Sequence, residues 1–497
     1  MKFFTKKAQS AGPGRGTLPQ LKFFNTLSGD LEPFEPLSPG AVKMYNCGPT
    51  VYDRQHIGNL LPPTIFNVLR NSLEYWGYEV RQVNNITDVG HLTGDNEGDA
   101  DTGDDRMSKG LRREGLALTL ENMKALAEKY AQIYLEDIAA LNVPVEKIMF
   151  PRASDYIEED IALIAALAEK GYGYTAEDGV YFDVSRFPDY GKLGNINLAG
   201  LKEGARIESE TKKHTPYDFA LWKFDKSLGW ESPWGRGFPG WHIECTAMIF
   251  KLLGKSIDIH TGGIEHIPVH HQNEIAQAEA ASGKKFVNVW LHNNHITMNG
   301  EKISKSLGNV AYLSDIVSRG LSPLSLRYWF LTAHYRSQAN FSWEALEGAA
   351  AALRRLERIF REIPVPEADR TKDRPLEPEP DPNFMQEFLG HIANDLDTPK
   401  ALASVWDLIR NQDIAPEIKR ASLIEADKIL GLKFTEGAEE EIKVEDLPED
   451  IQNLLKEREA ARAAKDFAKS DELRDKLQEK GFEVSDTSRG QKISQIK

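Results

Sequence analysis

The sequence predicts an α/β protein: a parallel sheet split by a β-rich insertion, then a helical bundle, then a small charged C-terminal domain. Three observations carry this. A β-like run over residues 42–46 stops at Cys47-Gly48-Pro49, and the loop after it leads into a helix carrying Leu61, Ile65, Val68, Leu69, Leu73 and Trp76, ended by Gly77. A second strand over residues 78–83 runs into Asn85-Ile86-Thr87-Asp88, so two consecutive strands bring loops to one edge of a parallel sheet, where such folds bind ligands. Between Gly171 and Trp241 the pattern turns to short strands, glycines and tryptophans, and a third strand over residues 256–260 then resumes the first fold.

In chain order, residues 1–20 read as a flexible extension, with Gly12, Pro13, Gly14 and Gly16 and no sustained apolar run. Residues 21–115 and 236–295 form the Rossmann-like domain, and 116–235 the insertion. The Gly- and Asp-rich stretch 94–105 has no apolar periodicity and is expected to be a mobile loop, followed by a long helix over about 118–140. After the third strand comes Thr261-Gly262-Gly263, then a helix starting near His270 and ending before Gly283. Asn299-Gly300 between two short β-runs is a hairpin signal, within a region 296–345. Helices fill 324–360, and residues 346–440 form the bundle, interrupted by a proline-rich acidic linker at 363–382. A further helix, with Thr398 as N-cap and Pro399 at N1, runs to near Leu432; residues 441–497 are a charged helical module.

At 497 residues, 41% hydrophobic and 28% charged, the chain is long enough for three or four modules, and no apolar run approaches membrane-spanning length. Two cysteines argue against a disulfide framework and for a reducing compartment, hence a cytoplasmic location. The net charge of −15 repels phosphate, so an RNA partner requires local basic patches.

His56-Ile57-Gly58-Asn59 lies just ahead of the first core helix. Gly58 permits close backbone approach, while His56 and Asn59 can donate to phosphate oxygens at a helix N-terminus. Far downstream, Lys302-Ile303-Ser304-Lys305-Ser306 follows the Asn-Gly turn. Two cations so placed can neutralise charge building between an α-phosphate and a leaving pyrophosphate. Arg106-Met107-Ser108-Lys109-Gly110 imitates that loop, but no hairpin precedes it and it carries little weight. Cys47, Cys245, a histidine and Glu274 make a candidate tetrahedral zinc site; His270 and His271 both lie within helical reach of Glu274, and spacing does not choose between them.

The two motifs together resemble the HIGH and KMSKS signatures of class I aminoacyl-tRNA synthetases, with Asn59 in place of the second histidine and Ile303 in place of methionine. YNCGPTVYD, HIGN, NITD, DFALWK, ESPWGRGFPGWHIEC, PVHHQNEIAQ and GEKISKSLGN are similar, in order, to the blocks of the cysteinyl-tRNA synthetase family, over most of residues 21–309. The resemblance implies activation of cysteine with ATP and transfer to tRNA(Cys), and one Zn2+ per chain held by Cys47, Cys245, His270 and Glu274. It also implies Mg2+ with ATP, ATP contacts from His56, Gly58, Asn59, Gly262, Gly263, Lys302 and Lys305, and cysteine contacts from Gly48, Thr87 and Trp241. His56, Asn59, Lys302 and Lys305 would be the catalytic donors. Glu265 stands where the family has an aspartate. The tail, ARAAKDFAKSDELRDKL and EVSDTSRG, resembles the family's anticodon-binding domain, pointing to Arg462, Phe467 and Asp486 as tRNA contacts. Arg458, Lys465, Lys469, Arg474, Lys476 and Lys480 recur beside them.

The expected assembly is a monomer. Two other readings share parts of this pattern: a cysteine ligase of mycothiol synthesis, which lacks the anticodon-binding end, and a catalytically dead RNA-binding paralogue, which has no use for intact motifs and four zinc ligands.

Overall fold

The structure is a computed structural model that describes residues 18–89, 106–194, 213–303, 308–364, 378–435, 444, 447–464, 466–487 and 490–495. The expected mobile loop at 94–105, most of the N-terminal extension and of the 363–382 linker, and Lys305 lie outside the described residues. The chain divides into two compact units, residues 1–353 with 363–432, and residues 354–362 with 433–497.

The first unit is built on a five-stranded parallel sheet. Its strands are β3 (Ala41–Asn46), β4 (Glu79–Asn84), β5 (Ile148–Met149), β10 (Ile257–Gly263) and β11 (Val287–Asn293), in the order β11-β10-β3-β4-β5. From β3 the chain moves one way to β4 and later returns on the other side as β10, so the switch point falls between β3 and β10. Crevices outside strand carboxyl ends at such a point are where ligands bind in open α/β sheets. Cys47 leaves the end of β3 there, and its N–H donates to the Thr261 carbonyl of β10 at 3.1 Å.

The helix after β3, Ile57–Tyr75, buries Leu60, Ile65, Val68, Leu69 and Leu73. Pro62 and Pro63 lie inside it, each removing one backbone donor. Ahead of β3, a hairpin of β1 (Lys22–Asn25) and β2 (Asp30–Pro33) meets β11, where Thr26 N–H donates to the Trp290 carbonyl at 2.9 Å.

A four-stranded antiparallel sheet follows, of β6 (Gly173–Thr175), β7 (Gly179–Phe182), β8 (Phe219–Phe224) and β9 (Gly237–Pro239), in that order; β9 lies just past residue 235, where the insertion was expected to end, and β5, inside the expected 116–235, belongs to the parallel sheet. Phe182, Phe219 and Trp222 of the antiparallel sheet share one buried cluster with Tyr45, Val83, Met248 and Trp290 of the parallel domain. Excluding water from that shared surface joins insertion and sheet into one core. The helix Trp241–Leu252 begins two residues after β9, so the insertion delivers Cys245 directly to the parallel sheet.

β12 (Ile296–Met298) and β13 (Glu301–Lys302) form the expected hairpin, with Asn299 and Gly300 at φ 52° and 83° as a tight Asn-Gly turn requires. The sequence reading missed β14 (Ala339–Phe341), which pairs parallel to β12 inside a stretch read as wholly helical. A helix at Pro382–Ala393, opened by Asp381, was also missed behind the proline-rich segment. Thr398 is not the cap of the next helix. Asp397 accepts from Lys400 N–H and caps Thr398–Arg410, so Thr398 and Pro399 are its first residues. What reads as one helix to Leu432 is two, because Pro416 opens a second, Pro416–Leu430, ended by Gly431 at φ 62°.

The second unit has helices Glu449–Ala463 and Phe467–Glu479 followed by a hairpin, β15 (Phe482–Thr487) with β16 (Gly490–Gln495), around Leu447, Ile451, Leu455, Leu477, Val484 and Ile493. No helix among the described residues is long and apolar enough to cross a membrane.

Candidate functional site

Three elements converge at the switch point. The end of β3 supplies Cys47, the first turns of Trp241–Leu252 supply Cys245, and the helix His270–Ser282 supplies His270 and, one turn on, Glu274. One donor atom from each of these four lies within 4.8 Å of the others. Cys245 Sγ is 3.6 Å from His270 Nε2, Cys47 Sγ 3.8 Å from Glu274 Oε1, and His270 Nε2 2.8 Å from Glu274 Oε1. A tetrahedral zinc ion with Zn–S of about 2.3 Å and Zn–N of about 2.0 Å needs donor separations of roughly 3.3–3.8 Å. Two sulfurs, an imidazole and a carboxylate also suit zinc's ligand preference, so the residues fit the ion; of these three separations the His270–Glu274 contact is the one that must open, by about half an ångström.

A second set, Cys47, His260, His271 and Glu274, is gathered as closely, within 4.8 Å, and shares two members with the first. His260 Nε2 lies 2.8 Å from Glu274 Oε2, and His271 Nε2 3.3 Å from Cys47 Sγ. His271 Nδ1 is already 2.7 Å from His292 Nε2. The first set contains both thiols and the second only one.

Charges within this buried group are mutually tuned. A hydrogen bond from Cys47 outweighs burial and brings the Cys245 thiol down to about 6. Burial, then Cys245 and Glu274, push the Cys47 thiol well above its ordinary value. Burial opposes the charged form of His270, but Glu274 and Cys245 reverse this and carry it up to about 10. Burial likewise opposes the Glu274 carboxylate, yet His260 and His270 hold it well below the usual range. His271 and His292 go the other way, kept neutral by burial and by neighbouring imidazoles.

The surrounding residues are close-packed. Gly48 donates to Asn85 Oδ1 at 2.8 Å, and a Cβ on Gly48 would fall 1.6 Å from the Asn85 carbonyl oxygen, so only glycine lets the two strand-end loops touch. Thr87 is buried in the second loop, and its carbonyl accepts from Val51 N–H. Trp241 stacks on the His270 ring with centroids 4.3 Å apart. Gly262 and Gly263 end β10; a Cβ on the first would meet His271 Cε1 at 2.6 Å and on the second the Glu265 carboxylate at 2.1 Å.

The two motifs meet at Gly58, where a Cβ would lie 3.7 Å from Ile303 Cδ1. His56 caps the first core helix, its Nδ1 accepting from Gly58 N–H at 3.1 Å, which leaves Nε2 as the N–H of the neutral ring. Asn59 Nδ2 donates to Gln55 Oε1 at 2.6 Å. Lys302 lies on β13, and Arg106–Arg113, the KMSKS look-alike, is a helix.

Residues 33–351 match the tRNA synthetases class I (C) catalytic domain, and residues 444–493 match the cysteinyl-tRNA ligase anticodon binding domain. The chain belongs to the cysteine–tRNA ligase family. A cysteine–tRNA ligase of Burkholderia lata is 44% identical over 95% of this chain and 96% of its own length. Those of Thermus thermophilus and Treponema denticola are 42% and 41% identical, over 95% and 94% of this chain and 98% of each relative. In fold, the chain is similar to a methionyl-tRNA synthetase of Mycobacterium tuberculosis, with a TM-score of 0.54 at 15% identity, covering 79% of this chain and 90% of that one.

In the family's C-terminal domain, Phe467 opens its helix 61% exposed, and Arg462 sits near the end of the preceding helix. Asp486 lies on β15 opposite Gln491. Arg458, counted among the surface cations in the sequence, is instead fully buried, donating to Gln491 Oε1 at 3.0 Å. Lys476 and Lys480 pair with Glu472 and Asp450, so much of the positive pattern is locally neutralised.

Sequence reasoning missed His260, His242, His266 and His292, which crowd the centre; His242 Nδ1 lies 2.9 Å from His270 Nδ1. A signal existed, because histidines inside apolar strand runs such as residues 256–260 and 287–293 must find polar partners once buried.

Proposed function

We propose that the chain activates L-cysteine with ATP to cysteinyl adenylate and transfers the cysteinyl group to tRNA(Cys), recognising the substrate thiol through zinc. The observation that carries this is the convergence of Cys47, Cys245, His270 and Glu274 at the carboxyl edge of β3 and β10. Both thiols belong to this set, which favours it over the set with His260 and His271 for a thiophilic ion. Bound there, zinc would take the substrate thiolate as a further ligand, a discrimination against serine that pocket shape alone, at about a hundredfold, does not supply.

The chain's own residues do the rest. Gly48, Thr87 and Trp241 border the amino-acid pocket, and its carboxylate is the nucleophile toward the α-phosphorus, so no protein nucleophile is needed. Catalysis is positioning and charge neutralisation. His56 through Nε2–H, Asn59, Lys302 and Lys305 supply donors toward the phosphates, which Mg2+ would accompany. Gly262 and Gly263, like Gly58, let the backbone approach the nucleotide. Arg462, Phe467 and Asp486 are proposed to contact the anticodon, Phe467 by stacking.

The test pairs metal analysis of the purified chain with cysteine-dependent ATP–pyrophosphate exchange and charging of unfractionated tRNA. One zinc per chain with charging by cysteine but not serine is expected. Exchange that is indifferent to cysteine would refute the proposal.

A further inference from the structure

A line of hydrogen bonds leads away from the proposed metal centre to the N-terminal hairpin. His271 Nε2 lies 3.3 Å from Cys47 Sγ, His271 Nδ1 lies 2.7 Å from His292 Nε2, and His292 Nδ1 lies 2.7 Å from Thr26 Oγ1. His271 and His292 are 0% and 3% exposed, so both rings are shielded from bulk water. Thr26 is held in place by the edge of the sheet: its N–H donates to the Trp290 carbonyl at 2.9 Å, while Trp290 N–H donates to Asn25 Oδ1 at 3.0 Å.

We infer that Thr26 is a positioning residue for the metal centre, its hydroxyl proton starting a one-way hydrogen-bond chain through His292 and His271 that delivers an N–H to the Cys47 sulfur. This rests on Cys47 being a metal ligand. A neutral imidazole has one N–H and one lone pair. A ligand thiolate only accepts, so His271 must present its N–H at Nε2. Its Nδ1 is then a lone pair that takes the His292 Nε2–H, and His292 Nδ1 in turn needs a donor. The Thr26 hydroxyl is that donor, and with it both tautomers are set and both rings are fixed in orientation. Partners of this kind behind a metal ligand change metal affinity about 10–100-fold when removed.

The variants are full-length Thr26→Val, which keeps the shape and loses the proton, and Thr26→Ser, which keeps the proton. Zinc affinity is measured by competition with a chromogenic chelator, and the sulfur-to-metal charge-transfer band is recorded after cobalt substitution. Thr26→Val is expected to bind zinc 10–100-fold more weakly, with a displaced cobalt band and a raised cysteine KM at unchanged ATP KM; Thr26→Ser is expected to match the parent. Should Thr26→Val prove unstable, His292→Phe breaks the same line and is expected to weaken zinc equally. Parental zinc affinity and cobalt band in Thr26→Val or His292→Phe overturn the inference, as does a Thr26→Ser variant as weak as Thr26→Val. A parent chain that binds no zinc at all would instead sink the metal reading beneath it.

Discussion

Nε2 of His270 lies 2.8 Å from Oε1 of Glu274, one helical turn along the same helix, while the opposite carboxylate oxygen is taken by His260. Glu274 thus belongs to both candidate donor sets, and only variants unique to one set separate them. Cys245→Ser is expected to lose bound zinc on dialysis and most preference for cysteine over serine, whereas His260→Asn should keep one equivalent of metal. If His260→Asn empties the site and Cys245→Ser does not, the ion belongs to the other set.

Gly48→Ala should be far more harmful than its one methyl suggests. The new Cβ would fall 1.6 Å from the Asn85 carbonyl oxygen, so the loop after β3 must retreat by more than an ångström, carrying Cys47 with it. Misplacement on that scale costs about 100-fold in rate. Steady-state exchange should show the loss in kcat/KM for cysteine with a smaller change for ATP; equal losses for both substrates would count against a cysteine-side role.

Lys305→Ala should slow adenylate formation by about 100–1,000-fold, the cost of removing one preorganised donor from a developing charge. Equilibrium cysteine binding should barely change. If rapid-quench rates and cysteine affinity fall together, Lys305 helps build the pocket rather than stabilise the transition state.

Arg327 is fully buried and donates to the carbonyls of Leu430, Leu141 and Asn142 and to Asn67 Oδ1. It joins the first core helix to the bundle within one unit. Arg327→Leu leaves several buried acceptors unmatched, at about 1–3 kcal/mol each, so a loss of about 3 kcal/mol or more is expected in denaturant unfolding. An unshifted midpoint would mean that the acceptors find other partners.

Phe467→Ala should act on tRNA alone. A ring exposed to 61% at the start of its helix contributes little to the fold, and stacking on a base is worth about 1–3 kcal/mol. The KM for tRNA is expected to rise roughly 5–150-fold while cysteine-dependent pyrophosphate exchange is unaffected. Unchanged charging kinetics would remove Phe467 from the interface.

The parallel sheet was legible because its punctuation is local: Cys47-Gly48-Pro49 and the Thr-Gly-Gly after His260 each mark a strand end by residue type, as Asn299-Gly300 does for the separate β12–β13 hairpin. Two later features were hidden, each for its own reason. β14 exists only because Ala339–Phe341 lies beside β12, a pairing across some forty residues that no local pattern records. The cap at Asp397 was taken for Thr398 because both are good capping residues, and adjacent positions compete until the backbone decides. At the centre itself, ligand candidates could be named from their chemistry, but the histidines behind them could not, since His260 and His292 sit on strands whose side-chain neighbours depend on register.

The four proposed zinc ligands are spread over more than two hundred positions, with the whole insertion between the first cysteine and the second. During synthesis, a ribosome that has released Cys47 must still produce the insertion sheet and then Glu274 before the ion can be enclosed. Because N-terminal parts emerge first and domains settle as units, the half-made chain would carry a lone reactive thiol, and metal capture would mark the moment at which the front half of the molecule becomes complete.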